Sequence, residues 1–196
     1  MKRLLSLAIL TLTLTACVDT TGLVSTSSKP PKGNPQSVVV VTEYADLECP
    51  ACRTANTAIV QPLLQKYATQ IRYEFKHFPL RSLHRFTMDL AEASECAADQ
   101  GKFWEYVDAA FENQSELKSG SATTWGEALV GDTSLFSRCV RSHIKKDAVM
   151  ADYDEGVARG VLGTPTFYVN GTQTPATLDA LSAAIEEQVK GARERL

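Results

Sequence analysis

Three absences bound the reading of this 196-residue chain. It has no block of basic residues: Lys and Arg total 20 against 23 Asp and Glu, a net charge of −3, so no nucleic-acid partner is expected. It has no apolar run of about 20 residues, the length a membrane-spanning helix needs; the stretch from Leu4 to Leu14 is too short. Cysteine is scarce, five in all, with one close pair, Cys49 and Cys52. A structural zinc site usually wants two close pairs. Cys96 and Cys139 stand alone and His77 follows no ligand spacing, so neither a metal nor any other cofactor is expected. Internal repeats are missing too.

What is present begins with Lys2 and Arg3, an apolar stretch and small residues before Cys17, the three-part layout of a secretory signal. No polar face recurs at helical spacing, which argues against a buried N-terminal helix. Leu14-Thr15-Ala16-Cys17 resembles the bacterial lipobox. That resemblance implies a lipoprotein signal peptide over residues 1–16, cleavage before Cys17 and lipid on Cys17. The processed chain keeps 180 residues and a net charge of −5, enough for one domain with a sizeable core and an inserted subdomain. It is expected to be extracytoplasmic and anchored to a membrane through Cys17. Val18 is not the acidic residue associated with inner-membrane retention in some Gram-negative bacteria.

Residues 17–36, rich in Ser, Thr, Pro and Gly, carry few large apolar groups and read as a flexible tether. Ser37 to Leu47 is β-branched and apolar, a strand buried on both faces. A helix follows the close cysteines, with Ala58, Ile59, Leu63, Leu64 and Tyr67 at helical spacing, and Pro62 should kink or divide it. Ile71 to Leu80 alternates as a second strand. The period then turns helical to about residue 160, where Trp104, Phe103, Tyr106 and Phe111 read as core. Phe167 to Val169 followed by Asn170-Gly171 signals a hairpin, and Thr177 caps a final helix. The order gives an α/β layered domain with a parallel strand pair, a separate antiparallel hairpin and a helical insert.

Closing so small a loop as Cys49–Cys52 removes little chain entropy, so a purely structural crosslink explains the pair poorly. A redox pair explains more. Pro50 suits a first helical turn, which puts Cys49 at a helix N-terminus, where unpaired N–H groups favour a thiolate. Cys52, one turn further in, is placed as the sheltered resolving thiol.

Cys49-Pro50-Ala51-Cys52 after a strand, with Gly163-Thr164-Pro165-Thr166 over a hundred residues later, resembles the DsbA-like branch of the thioredoxin superfamily. Lys76 to Leu80, Cys96 to Tyr106 and Gly160 to Gly171 extend the likeness over about residues 37–192. The resemblance implies a thioredoxin fold in two parts, residues 37–82 and 161–196, around a helical insert over residues 83–160, between the second strand and the cis-Pro strand. It also implies a cis Thr164–Pro165 bond facing Cys49 and docking an extended substrate peptide. Similar proteins carry a buried acid beneath the active site, which places Glu43 as a proton relay with Lys76 as its partner; an exposed edge-strand ion pair is the alternative. Cys96 and Cys139 are either buried free thiols or, as the leftover pair of an exported protein, a disulfide; the family's insert often carries such a staple. A catalytic relay through them is a third reading. His84 and His143 read as capping or surface residues, and the role of His77 stays open.

The activity implied is that of a monomeric thiol:disulfide oxidoreductase introducing disulfides into unfolded exported proteins and regenerated by a quinone-linked membrane thiol oxidase. Ala51 offers no ring donor to the Cys49 sulfur, and Glu48 adds a nearby negative charge, so an intermediate redox potential is expected. A reductase or isomerase of the same fold and a non-catalytic chaperone-like lipoprotein are the rivals.

Overall fold

A computed structural model describes residues 18–194; the expected signal over residues 1–16 and the expected lipid site at Cys17 lie outside them. The chain runs β1 (Lys32–Gly33), β2 (Val40–Ala45), α1 (Pro50–Ala55), α2 (Gln61–Tyr67), β3 (Arg72–His77), α3 (Thr87–Ala98), α4 (Phe103–Glu112), α5 (Ser121–Glu127), α6 (Thr133–Ser142), α7 (Lys146–Ala158), β4 (Thr166–Val169), β5 (Thr172–Thr174) and α8 (Leu178–Arg193). One mixed sheet has the order β1-β3-β2-β4-β5. β2 and β3 are parallel, connected by α1 and α2. Five helices, α3 to α7, intervene before β4: the thioredoxin fold with a helical insertion.

Local chemistry accounts for most of these boundaries. Between α1 and α2 the helix widens into a π-helical segment, Asn56–Val60, with the Gln61 N–H reaching back to the Asn56 carbonyl. Pro62, which has no N–H to give, sits just inside α2, so it divides the helix without ending it. Asn170 and Gly171 take positive φ, 46° and 82°, at the tight β4–β5 turn. The Thr177 hydroxyl caps α8 by accepting from the Ala180 N–H at 3.3 Å. The hairpin is not separate, as the sequence suggested. β4 pairs antiparallel with β2, matching Glu43 to Phe167, because Val41 and Glu43 need a partner strand on that side too.

The sheet has two differently packed faces. Val41, Tyr73, Phe167 and Val169 pack with Leu63, Leu181 and Ile185, while Phe75 joins Phe103, Tyr106 and the insert. On the other face Tyr44, Phe78 and Tyr168 pack against α7. That approach is close enough to require glycine: a Cβ on Gly156 would lie 2.7 Å from the Phe78 ring and 2.9 Å from that of Tyr44. Within the insert, Cys96 on α3 and Cys139 on α6 form a disulfide with an Sγ–Sγ distance of 2.02 Å.

The tether expectation fails for much of residues 18–36. Lys32 and Gly33 pair with Tyr73 and Arg72 at the sheet edge. A Cβ on Gly33, whose φ is 83°, would sit 2.5 Å from the Ile71 carbonyl oxygen. Upstream, Lys29 Nζ lies 2.8 Å from Glu95 Oε1 and 2.6 Å from Asp152 Oδ2. Burial opposes the charge on Glu95, but His77 and Lys29 hold its carboxyl below the usual range. The Lys145 ammonium donates to the Thr26 carbonyl at 2.7 Å, and Trp104 Nε1 to that of Pro30 at 3.0 Å. A segment too polar to form a core is held here by charge pairing and backbone hydrogen bonds, which composition does not reveal.

The Cys96–Cys139 bond closes a separation of 43 residues. Replacing both cysteines by Ala should lower the unfolding free energy by about 4 kcal/mol in the chain-entropy model. Urea unfolding in non-reducing buffer measures this; a loss under about 1 kcal/mol would mean that packing alone holds the insert.

Candidate functional site

The loop between β2 and α1 is built around Asp46. Its Oδ1 accepts from the Glu48 N–H at 2.8 Å, a local turn, while Oδ2 accepts from the Leu80 N–H at 2.9 Å and lies 2.8 Å from His84 Nδ1. From the insert, Gln114 Nε2 donates to the carbonyls of Leu47 (2.9 Å) and Cys49 (3.1 Å). Glu48 Oε2 accepts from the Phe86 N–H at 2.6 Å, just before α3. The loop is thereby fixed to the β3–α3 connection and to the insert. The carboxylate of Glu48, expected to raise the Cys49 pKa, is engaged at the start of α3 instead.

Cys49 is the N-cap of α1 and Pro50 its first residue. Both Cys49 and Cys52 are free thiols. The Cys49 sulfur lies 3.5 Å from the carbonyl oxygen of Thr164, and the Thr164–Pro165 peptide bond is cis. A hydrogen bond from the Cys52 thiol pulls the Cys49 pKa down to about 5, against the opposing effect of burial. The Thr164 hydroxyl and the N–H groups of Cys52 and Ala51 pull in the same direction. That hydroxyl is buried and makes no hydrogen bond among the described residues, so it is free to turn toward the sulfur. Burial drives Cys52 the other way, well above the ordinary thiol range, reinforced by its hydrogen bond to Cys49 and the charge of Glu43. At neutral pH the arrangement holds one sulfur as a thiolate and the other as a thiol.

Glu43 is buried on β2, and Tyr73 of β3 donates a hydrogen bond to its Oε2. Burial pushes the Glu43 carboxyl up to about 7 in spite of that hydrogen bond, and the negative charge of Cys49 adds to the rise. Its electrostatic coupling to both sulfurs ties this acid to the thiol pair. Lys76 is elsewhere. The parallel register matches Glu43 with Phe75 and Tyr44 with Lys76, so Glu43 and Lys76 point to opposite faces. Lys76 pairs with Asp152 at 3.1 Å and Glu155 at 3.0 Å on α7, and the expected Glu43–Lys76 pair does not form.

His77 is buried, 3.2 Å from Ser94 Oγ and 3.4 Å from Glu95 Oε1. His143 ends α6 beside Glu92, at 3.1 Å. Sequence reasoning missed Asp46, Gln114 and Tyr73. Asp46 alone carried a local signal, an Asp two residues before Glu48 at the end of a strand; the other two act across the fold. Beside Pro165 lies an apolar groove of about 430 Å³, lined by Ala51, Ala55, Ala58, Ile59 and Ala176 among others. It is suited to an extended, uncharged peptide segment.

Two measurements bear on this geometry. Alkylation of the reduced protein at Cys49 should be level above pH 6 and fall tenfold per unit below a midpoint of about 5. Thr164→Val removes the one free hydroxyl able to turn to the thiolate and should raise that midpoint by about one unit, the size of one hydrogen bond to a charged group. An unmoved midpoint would show that the hydroxyl contributes nothing. Glu43→Gln should slow attack by the Cys52 sulfur about a hundredfold at neutral pH while leaving the Cys49 midpoint within a unit; stopped-flow release from a Cys49 mixed disulfide reads the first and the alkylation profile the second, and unchanged release would remove Glu43 from the step.

A family model described as Thioredoxin matches residues 25–187. Among solved structures, oxidised BdbD from Bacillus subtilis superposes with a TM-score of 0.73 at 21% identity, covering 83% of this chain and 94% of that one. Pseudomonas aeruginosa DsbA2 gives 0.66 at 24% identity, covering 82% and 93%, and Wolbachia pipientis alpha-DsbA1 gives 0.69 at 19%, covering 84% and 92%. These likenesses establish the DsbA-type fold. Curated relatives include proteins named Na(+)/H(+) antiporter: NhaA 3 of Salinispora tropica, 38% identical over 84% of this chain, and NhaA 1 of Mycolicibacterium vanbaalenii, 35% identical over 77%. The chain spans about a quarter of their length, 25% in each case. With a family model matched along most of its length, on the fold already described, the chain belongs to the thioredoxin family.

Proposed function

We propose that this protein is an extracytoplasmic thiol:disulfide oxidoreductase that forms disulfides in unfolded exported proteins, using Cys49 and Cys52. The observation that carries the reading is the opposed protonation of the two sulfurs opposite a cis-proline loop. A thiolate near pKa 5 is both a reactive nucleophile and a good leaving group at neutral pH. In the oxidised enzyme a substrate thiolate attacks Cys49, joining substrate sulfur to Cys49 and releasing Cys52 as the leaving thiolate. Glu43, protonated in part at neutral pH, supplies the proton that Cys52 takes up. A second substrate thiolate then attacks the first substrate sulfur, which completes the substrate disulfide and expels Cys49 as its stabilised thiolate. Two electrons pass to the enzyme, and a membrane thiol oxidase of the quinone-linked kind takes them back.

Thr164 and Pro165 hold the substrate backbone, with the apolar groove receiving a neighbouring segment. The Cys96–Cys139 bond holds the insert together and takes no electrons. Residues 1–16 serve as an export signal, and lipid on Cys17 anchors the domain, which acts as a monomer.

The sign of the pH effect follows from the depressed Cys49 pKa. Thiolate formation stabilises the reduced state, fully so above the ordinary thiol value of 9.0, and that advantage is lost as pH falls through about 5. A reduced state stabilised in this way makes the disulfide oxidising. Equilibration with glutathione at pH 7 should therefore give a potential between about −120 mV, that of the strong oxidant DsbA, and about −270 mV, that of thioredoxin. A value at or below the thioredoxin figure would make the protein a reductase. Failure of the wild type to catalyse oxidative refolding of a reduced substrate any better than Cys49→Ala would leave only a binding role.

A further inference from the structure

Glu43 sits between two strands that offer it little. Phe75 of β3 and Phe167 of β4 stand opposite it in the two ladders. Residues 41, 43 and 45 of β2 share a sheet face with residues 73, 75 and 77 of β3. Among the described residues one side-chain hydrogen bond reaches the carboxyl on that face, from the Tyr73 hydroxyl to Oε2. Tyr73 is itself buried, 1% exposed. Its backbone is held on both sides, matched with Val41 of β2 and Lys32 of β1. Its ring rests against Trp104 of α4, with centroids 5.8 Å apart. Trp104 is anchored in turn by its hydrogen bond to the Pro30 carbonyl and by the Lys32 ammonium 4.5 Å over its ring. Packing therefore aims the hydroxyl at Glu43. The charged and titratable groups around the pair are Cys49 and Cys52 on one side and, beyond Tyr73, Asp108 of α4 with Lys32 at 3.7 Å.

We propose that Tyr73 is the positioning residue of the proton step: its hydroxyl, a donor without charge, holds Glu43 so that one carboxyl both gives a proton to Cys52 and takes it back. The role rests on the thiol-exchange reading above. Two opposed requirements meet at Glu43. With no donor beside it, a carboxyl in this core would stay protonated at neutral pH, because burial penalises the charged form. With a lysine beside it, as the sequence suggested, it would stay ionised. The tyrosine hydroxyl stands between these cases. It offsets part of the cost of burial and leaves the acid at about 7. Burial keeps Tyr73 itself protonated well above neutral pH, so the donor is never lost. When a substrate thiolate opens the Cys49–Cys52 bond, protonated Glu43 gives its proton to the departing Cys52 sulfur. When the mixed disulfide meets no second substrate thiol, ionised Glu43 takes that proton back. The Cys52 thiolate then attacks Cys49, the enzyme disulfide re-forms, and the substrate leaves as a thiolate. Tyr73 thus sets how readily a stalled substrate is returned.

Stopped-flow mixing of the reduced full-length protein with one equivalent of a symmetric nitroaromatic disulfide, over a range of about pH 5 to 9.5, tests this. The first coloured thiolate released reports attack by Cys49, and the second reports attack by Cys52. In the wild type the second phase should rise with pH to a plateau. Its midpoint should lie no higher than about 7, since the mixed disulfide removes the Cys49 charge. Tyr73→Phe keeps the ring against Trp104 and removes only the donor. It should move that midpoint up by about one to two units, the size of one hydrogen bond to a charged group. The second phase should then slow between about fivefold and fiftyfold at pH 7 and approach the wild-type rate near pH 9.5, with the first phase unchanged. In a Glu43→Gln background the same change should move nothing. Slowing by one factor at every pH is what a merely structural role predicts. That result, or an unmoved midpoint where Glu43→Gln is slow, would overturn the role of Tyr73 alone. A second phase untouched by Glu43→Gln would take the acid out of the step, and Tyr73 with it.

Discussion

A hydrogen bond between two sulfurs one helical turn apart governs the chemistry of this fold. The Cys52 thiol keeps its proton because it is buried, and by donating that proton it makes Cys49 acidic. Neither effect would survive alone. An exposed Cys52 would offer its proton to water instead of to its neighbour, and a Cys49 placed deeper would lose the backbone N–H groups at the start of α1. The β2–α1 loop sets this depth, which is why a buried carboxylate, Asp46, and an amide from the insert, Gln114, are both committed to holding it.

Much of this could be read from the chain. The hydrophobic pattern of Val40–Ala45, the Asn170-Gly171 turn, the Thr177 cap and the break near Pro62 are local signals, and local signals survive folding. The thiol pair and the Thr164–Pro165 loop were legible because their residue types are rare and their order is specific. Lys76 was misassigned for a reason inherent to strands. Side chains alternate with period two, and the register between β2 and β3 is a property of the pair, so a lysine one residue out of phase lands on the wrong face. Tyr73, in phase, occupies the place beside Glu43.

The segment before β2 shows the complementary failure. Its composition is that of an unstructured linker, and the usual argument weighs only the apolar area it can bury. Its ordering comes from groups that are already buried elsewhere. Glu95 and Asp152 lie in the domain whether or not Lys29 arrives, beside His77 and Lys76, and two buried acids so close together gain from a further cation. The energy that orders the segment is thus stored in its docking site, which a reading of the segment alone cannot see.

Gln114 has a further implication for how the two halves of the molecule can vary. One side-chain amide, carried by a short turn beyond α4, holds two carbonyls on either side of Glu48. The inserted helices are therefore a brace for the loop that carries Cys49, and their spacing is a dimension of the thiol site. Lengthening or shortening α4 by a single residue would rotate that amide about 100° around the helix axis and release both carbonyls. Sequence drift in this part of the chain is constrained by geometry at a sulfur that most of its residues never touch.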